Sequence, residues 1–460
     1  MDSLKTVNGV SAVRDLYRFL ADPVAQTRST VRNHGSQVRF RIRLPGGFSR
    51  SIYHIAEPQT AKTVYMNYRS FTNGGLIPKA SQCPEHNALR RGYFRANGDE
   101  YQHYLKLFGP HFKRGQINNV AECILQTADA QLALWPTNEP FDAHQALGPV
   151  IKNLALRAFF RDDDPKRGIQ AADLVERHAR TARVSVKNLV RANVGHLWRS
   201  ALHKDAEAAY GALLNWADSR KGCPVDHDIL STVVNSPTEK GEMPEDQRIA
   251  GYAWTMFGAA YDTSVSLLSW LLMFLARNPR VLSAVIDELE GAPTDDVDAV
   301  MRLPYLDAVI NESLRLVPPA PMQRRLARGP ECAALELDRN ASILISAWMV
   351  NRNPDLYPDA ERYDPDRWSS INPTPFEWLT FSAGPRRCLG IWYAYAFMKM
   401  FVVRLLEKGV PQMPDGTELA MHYAVTLRPT LGMPLVIKPK GTAPKQADIR
   451  GGIFHQLPQL

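Results

Sequence analysis

Apolar and polar residues alternate from Val38 to Leu44 (Val-Arg-Phe-Arg-Ile-Arg-Leu), and after Pro45-Gly46-Gly47 a second short run follows from Ser51 to Ile55. A period of two interrupted by Pro-Gly-Gly predicts a β-hairpin. From about Gln102 onward the apolar positions recur at helical spacing. Helices are expected near 120–135, 144–160, 170–190, 203–219, 246–277, 280–290, 303–317 and 391–407. Short strands return at Ala341 to Ala347 and Val425 to Ile437. The polar stretch from Arg220 to Asp246, with Gly222, Pro224, Gly241 and Pro244, reads as a surface connection that could pass for a domain boundary. Lys438 to Leu460 reads as a polar tail with little to anchor it. The pattern therefore predicts a mainly α fold with a small β portion.

Composition narrows the class. The chain has 460 residues, 22% charged and 45% hydrophobic, which fits a globular protein and excludes a disordered or fibrous one. Its five cysteines, Cys83, Cys123, Cys223, Cys332 and Cys388, include no Cys-x-x-Cys pair. Neither a disulfide framework nor a structural zinc site is expected, and a reducing compartment is. The first residues lack the apolar core of a signal peptide. The best apolar run, Val265 to Ala276, is 12 residues long between Asp262 and Arg277, short of the ~20 residues of a membrane span. It is expected to be a buried helix, with no membrane span and a cytoplasmic location. The net charge of +8 is spread along the chain without a run of five basic residues, so no nucleic-acid partner is expected.

The chemistry centres on Cys388, in Phe381-Ser382-Ala383-Gly384-Pro385-Arg386-Arg387-Cys388-Leu389-Gly390, directly before the apolar helix Ile391 to Leu406. At a helix N-terminus, free N–H groups and the positive end of the dipole favour a thiolate, and a thiolate can ligate a metal. Gly384 permits a turn and Gly390 a close approach. The segment resembles the haem-binding loop of the cytochrome P-450 superfamily, Phe-x-x-Gly-x-Arg-x-Cys-x-Gly, at Phe381, Gly384, Arg386, Cys388 and Gly390.

Three further segments extend the resemblance. Glu312 and Arg315 stand three apart on one predicted helix face. With Arg367 of Asp364-Pro365-Asp366-Arg367-Trp368 they are similar to the family's Glu–Arg–Arg network, which braces the haem loop and makes no bonds itself. In Phe257-Gly258-Ala259-Ala260-Tyr261-Asp262-Thr263-Ser264, an acid and a hydroxyl in an apolar helix are costly to bury and point to a proton path. Asp262 and Thr263 fall on the family's acid–alcohol pair, beside Ala259 and Ala260, where Ala260 replaces the usual glycine. In Gly98 to Phe112, the family's propionate-holding Trp or His and Arg are Tyr101 and Leu105 here. Tyr101 retains a donor and Leu105 does not. Arg386 and Arg325 match the family's other propionate donors, and the guanidinium fork suits a carboxylate; Lys106 and His103 are weaker candidates.

The resemblance runs from roughly residue 20 to Lys438. It implies one haem-thiolate catalytic domain over 1–440, with β-rich portions at about 35–60, 318–350 and 420–438, followed by a polar tail at 441–460. Haem b would lie between the long central helix and the Cys-loop helix, with Cys388 as iron ligand pushing electron density toward bound oxygen. Such a monooxygenase inserts one atom of O2 into a hydrophobic small molecule by hydroxylation or epoxidation, with Thr263 and Asp262 delivering protons. The chain carries no Cys cluster and no Gly-x-Gly-x-x-Gly reductase segment. Electrons are therefore expected from a separate ferredoxin/ferredoxin reductase pair or a flavodoxin-type donor, steered by the positive charge. The protein is expected to be a monomer. Substrate contacts are expected from 71–97, the helices around 170–200, Ala259 and Ala260, Pro319 to Met322, and Val425-Thr426-Leu427. These are mainly apolar and fit a terpenoid, steroid, fatty acid or polyketide. Two rivals share the cysteine: a haem-thiolate isomerase or dehydratase acting on a peroxide, against which Asp262-Thr263 argues, and a non-enzymatic haem sensor.

Overall fold

The computed structural model describes residues 4–43, 49–74, 83–161, 165–182, 201–423, 426–453 and 457. Its α-helices of six or more residues are α1 (Gly9–Ala21), α2 (Pro23–His34), α3 (Pro58–Met66), α4 (Pro84–Leu89), α5 (Gly98–Phe108), α6 (Ile117–Leu132) and α7 (Ala143–Phe160). They continue with α8 (Pro165–Thr181), α9 (Ala201–Asp218), α10 (Ile229–Asn235), α11 (Asp246–Arg277), α12 (Pro279–Leu289), α13 (Pro304–Leu316) and α14 (Ile391–Lys408). Seven of the eight expected helices are present within a few residues of their bounds, while the one expected at 170–190 starts earlier and runs as α8 to Thr181, residues 183–190 lying outside the described residues. Many start on side-chain caps: Asp22 accepts from Ala25 N at 3.0 Å ahead of Pro23, and Asp142 accepts from His144 N at 3.0 Å.

A six-stranded sheet is ordered β1 (Lys5–Asn8), β2 (Gln37–Arg43), β3 (Ser49–Ile55), β7 (Ser342–Ser346), β6 (Met322–Ala327), β4 (Phe71–Thr72). The expected hairpin is its β2–β3 pair, antiparallel with Phe40 opposite Ile52. β7 joins β3 in parallel and β6 pairs antiparallel with β7, placing Arg325 opposite Ile343. Three smaller sheets lie outside it: β5 (Pro140–Asp142) with β12 (Pro434–Pro439) and β8 (Gly409–Gln412); β10 (Met421–Tyr423) with β11 (Leu427–Pro429); and β9 (Thr417–Glu418) with β13 (Ile449–Arg450).

The main core is helical and wraps α11, whose 32 residues are buried from Ile249 to Phe257 and again from Val265 to Ala276. Among the described residues, α11 is the one helix long and apolar enough to cross a membrane, and 72% of that stretch is buried inside the protein. Between its ends, Gly258 to Ala260 and Asp262 to Ser264 are partly uncovered. Near its start α11 nearly touches the turn after α4. A methyl on Gly92 would overlap the Gly251 carbonyl and Thr255 hydroxyl, so the approach requires glycine.

Two expectations are corrected. The 220–246 stretch is not a bare connection, because α10 within it buries Ile229, Leu230, Val233 and Val234 against the same core. The C-terminal tail is anchored: β13 pairs in parallel with β9, and Ile453 and Leu457 are buried. Ala447, Ile449, Ile453 and Leu457 are spaced so that they meet the core, while the polar residues between them hide that pattern. The helices α1 and α2 at the N-terminus were not expected, although Asp22-Pro23 is a legible start signal.

Candidate active site

The loop before α14 is built by hydrogen bonds across itself. Cys388 N donates to Phe381 O at 2.9 Å and Arg387 N to Gly384 O at 3.0 Å. Gly384 has φ +66°, and a Cβ there would press on Tyr65 backbone atoms at 3.2 Å, so the position excludes larger residues. Phe381 anchors the loop edge-on to Trp378 at 5.7 Å and tilted against Tyr395 at 5.9 Å. Gly390 is the N-cap of α14, and nothing approaches its Cβ direction within 4 Å. The Cys388 side chain is uncovered although protein surrounds the thiol closely enough to desolvate it. That burial pushes the thiol up, and the Gly390 N–H and the Arg387 charge pull it only partly back. The helix N-terminus therefore does not by itself make Cys388 a thiolate. A metal ion would, since coordination displaces the proton.

Beside the loop lie two guanidiniums with no acidic partner among the described residues. Arg325 is 5% exposed, donates only to the carbonyl of its neighbour Arg324 at 3.1 Å, and lies over the Tyr65 ring at 5.3 Å. Arg386 stacks on the Tyr101 ring at 3.8 Å and donates from Nη2 to Ala96 O at 2.5 Å and Asn97 Oδ1 at 2.9 Å, while its Nε is buried without a partner. Burial lowers both, Arg386 to about 10. Tyr101 spends its hydroxyl on Pro385 O at 2.7 Å, so it holds the loop and supports Arg386. Leu105 packs against the core, and His103 Nε2 sits 2.9 Å from Pro237 O. Tyr65 and Tyr93, which sequence reading missed, add hydroxyls buried near Arg325 and Arg386 respectively. Tyrosine is too common in cores for either to have been singled out.

In the uncovered middle of α11, Thr263 Oγ1 donates to Ala259 O at 2.6 Å, the back-bonded arrangement common to core helices. Ala259 and Ala260 are partly uncovered beside it. Asp262 is ion-paired to Arg428 and accepts from Thr426 Oγ1 at 2.8 Å. Nothing local in the sequence announces this pair, because 166 positions separate the partners. Of the expected substrate segments, 75–82, 183–200 and Val425 lie outside the described residues. Thr426 and Leu427 are buried and bonded to α11.

The Glu312 network forms with more members than expected. Arg315 bonds both carboxylate oxygens at 2.8 Å, Arg367 Nε reaches Oε1 at 3.0 Å, Asp364 N donates to Oε1 at 2.9 Å and Trp368 Nε1 to Oε2 at 3.0 Å. Arg315 also donates to the carbonyls of Asn351 and Ala360 at 3.0 and 2.7 Å. Asn351 in turn accepts from Leu379 N at 2.8 Å, which links the network to the residues entering the Cys388 loop.

These residues fit haem b on the structure's own terms. An uncovered sulfur deep in the fold can hold iron, and an orphaned Arg386 Nε beside a carboxylate-free Arg325 can receive propionates. A family model described as "Cytochrome P450" matches residues 47–431. "Putative cytochrome P450 135B1" of Mycobacterium tuberculosis is 26% identical over 415 residues, covering 88% of this chain and 83% of the relative. "Cyclooctat-9-en-7-ol 5-monooxygenase" of Streptomyces melanosporofaciens is 26% identical over 403 residues, 84% of each chain. Among solved structures, "Retinoic acid bound cyanobacterial CYP120A1" superposes with a TM-score of 0.72 at 18% identity, covering 89% of this chain and 93% of that one.

Proposed function

The chain belongs to the cytochrome P450 family and is a haem-thiolate monooxygenase with haem b as cofactor, and from that premise we propose its substrate class, its electron donor and the roles of its site residues. The substrate is a hydrophobic small molecule of terpenoid, steroid, fatty-acid or polyketide type, oxidised by hydroxylation or epoxidation. For hydroxylation the balance is R–H + O2 + 2 H⁺ + 2 e⁻ → R–OH + H2O. The electrons come from a ferredoxin/ferredoxin reductase pair or a flavodoxin-type protein.

When bound, the haem supplies the iron at which O2 is reduced. Cys388 holds the iron, with Phe381, Gly384 and Gly390 shaping its loop, and Arg325 and Arg386 take the propionates. Tyr101 keeps Arg386 in place. The Glu312–Arg315–Arg367 network stiffens the approach to the loop. Asp262 and Thr263 move protons in the uncovered middle of α11, where Ala259 and Ala260 leave room for small molecules.

The observation that carries the reading is the uncovered Cys388 beside a buried and a half-buried guanidinium, Arg325 and Arg386, neither with an acidic partner among the described residues. The test supplies a ferredoxin system, NAD(P)H, ¹⁸O2 and a panel of hydrophobic metabolites chosen by ligand-induced spin shift. Retinoic acid and cyclooctat-9-en-7-ol are included because similar proteins are named for them. Incorporation of one labelled oxygen is expected, and Cys388→Ser should abolish the thiolate-type absorbance of the reduced carbon monoxide complex. The engaged states of Thr263 and Asp262 favour a second reading, a peroxide-rearranging haem-thiolate enzyme. Turnover of a hydroperoxide without an electron donor would establish that reading instead.

A further inference from the structure

Helix α1 turns an apolar face to solvent. Ala12 and Asp15 are its buried positions, Phe19 is half-buried, and the helix packs against α2 and β2. Val13 and Tyr17, four residues apart and so on one face, are 53% and 70% exposed. The other exposed large hydrophobics among the described residues, such as Leu134 and Leu431, come singly from separate elements and loops. Scattered ones need no explanation, whereas a pair one turn apart on a single helix does.

The flank of that face is cationic. Arg14 and Arg18 follow Val13 and Tyr17 by one position, about 100° round the helix, and both are exposed. α2 runs back along α1, with His34 Nε2 4.0 Å from Asp15, and adds the exposed Arg32 to the same hairpin of helices. Lys5 of β1 is exposed as well. The acids of this region are turned to internal use. Asp15 is 7% exposed and lies 3.7 Å from Arg14 Nε, while Asp22 caps α2 by accepting from Ala25 N at 3.0 Å. From Leu4 to His34 the described residues therefore expose Lys5, Arg14, Arg18 and Arg32 and no acid.

The charge decides what covers such a face. A second copy of the chain would bring the same cations to the contact, and no exposed acid of this region to answer them. A bilayer containing anionic lipid answers both features. Its interface takes up apolar side chains and favours tyrosine, and its surface charge attracts the cations beside them. Arginine stems can lie along the apolar boundary with their guanidiniums among the headgroups. We propose that α1 is an interfacial helix that seats the protein on an anionic lipid surface, with Val13 and Tyr17 in the boundary and Arg14, Arg18, Arg32 and Lys5 at the headgroups. The contact is peripheral, since the 13 residues of α1 fall short of the ~20 that cross a bilayer. An enzyme so placed meets lipid-dissolved molecules directly; that consequence, though not the binding, rests on the hydrophobic substrate class proposed above.

The experiment sediments full-length holoprotein with vesicles of phosphatidylcholine alone and of phosphatidylcholine mixed equally with phosphatidylglycerol, at low and raised salt. Wild type should bind the mixed vesicles, bind the neutral ones far more weakly, and dissociate as salt screens the attraction. Arg14→Gln/Arg18→Gln should weaken binding on the order of twenty-fold, at about five-fold for each cation near the surface. Val13→Ser/Tyr17→Ser keeps every charge and should weaken binding too, which attraction of charge alone would not produce. Lys221→Gln/Lys240→Gln removes as much charge from exposed positions between α9 and α11 and should bind as wild type does. The substituted side chains are all exposed, so each variant should keep the urea midpoint of wild type. Equal binding to the two kinds of vesicle, or mixed-vesicle binding unchanged in both α1 variants, overturns the proposal. So does an equal loss in the Lys221→Gln/Lys240→Gln variant, or a shifted midpoint in an α1 variant, which would mean that the face is covered within the protein. A dimer in sedimentation velocity that Tyr17→Ser abolishes would assign the face to a second copy and overturn it as well. None of these readouts needs turnover, so they stand apart from the monooxygenase assay.

Discussion

Replacing Glu312 by Gln removes one charge from a site that is 0% exposed and leaves Arg315, also 0% exposed, and Arg367, 8% exposed, with their positive charges. The amide cannot replace the carboxylate. Its oxygen serves best on the Oε1 side, where Arg315 Nη2, Asp364 N and Arg367 Nε converge, which turns its NH2 toward Arg315 Nε and Trp368 Nε1. Two donors then face a donor. Breaking a buried ion pair by removing one partner costs about 3–5 kcal/mol. The Asp364 carboxylate, 4.0 Å from Arg367 Nη2, can offset part of the charge but none of the lost bonds. We expect Glu312→Gln to lower the free energy of unfolding by about 4 kcal/mol, read as a shift of the urea midpoint at unchanged slope by far-UV circular dichroism. A loss below about 1 kcal/mol, the range of exposed pairs, would refute the argument that this network braces the fold.

Arg325 should behave oppositely: it is a buried cation without an acid, so Arg325→Leu in the haem-free protein should cost little or stabilise. The same variant should release haem faster to an acceptor protein, and a haem-free loss as large as that of Glu312→Gln would remove Arg325 from the propionate site. Stability should also fall with acid, because burial lowers His54 to about 4, and burial with the neighbouring His86 lowers His178 to about 3. Both are neutral when folded, so the unfolded chain takes up protons first as pH falls below about 6.5. At pH 5 this amounts to about 2 kcal/mol for each histidine. Unfolding at pH 7.5 and pH 5 checks it, and His54→Leu should remove about half of the acid loss.

Helices such as α6 and α12 were legible because each buries one face, which writes its period into the sequence, whereas α11 and α14 are buried nearly all round and were legible as long apolar runs. The Cys388 loop was legible in part because Gly384 answers a backbone demand, as its positive φ shows. The C-terminal tail was misread: Ile449, Ile453 and Leu457 are too widely spaced among polar residues for any local period to reveal them. The Tyr101 hydroxyl was read as a donor toward a propionate, whereas in the fold it donates to the Pro385 carbonyl, a choice set by tertiary packing of α5 against the loop. The Asp262–Arg428 pair was invisible for the same reason. A side chain's type is local information, whereas its partner is a property of the fold.

Buried cations in this protein divide into two kinds, and the division separates scaffold from site. Arg315 and Arg367 share Glu312, Arg352 meets Glu361 at 3.2 Å, and Lys399 meets Asp307 at 2.8 Å besides three carbonyls. Each of these charges is answered within the chain, as the cost of removing an ion from water requires. Arg325 is buried and Arg386 half-buried, yet among the described residues they donate only to carbonyl and amide oxygens, and burial lowers both. Among the described residues, a fold that pairs its other buried cations and leaves these two beside one uncovered cysteine places the missing negative charge outside the polypeptide. Two guanidiniums call for two carboxylates, and haem b carries two propionates on the ring whose iron a thiolate binds.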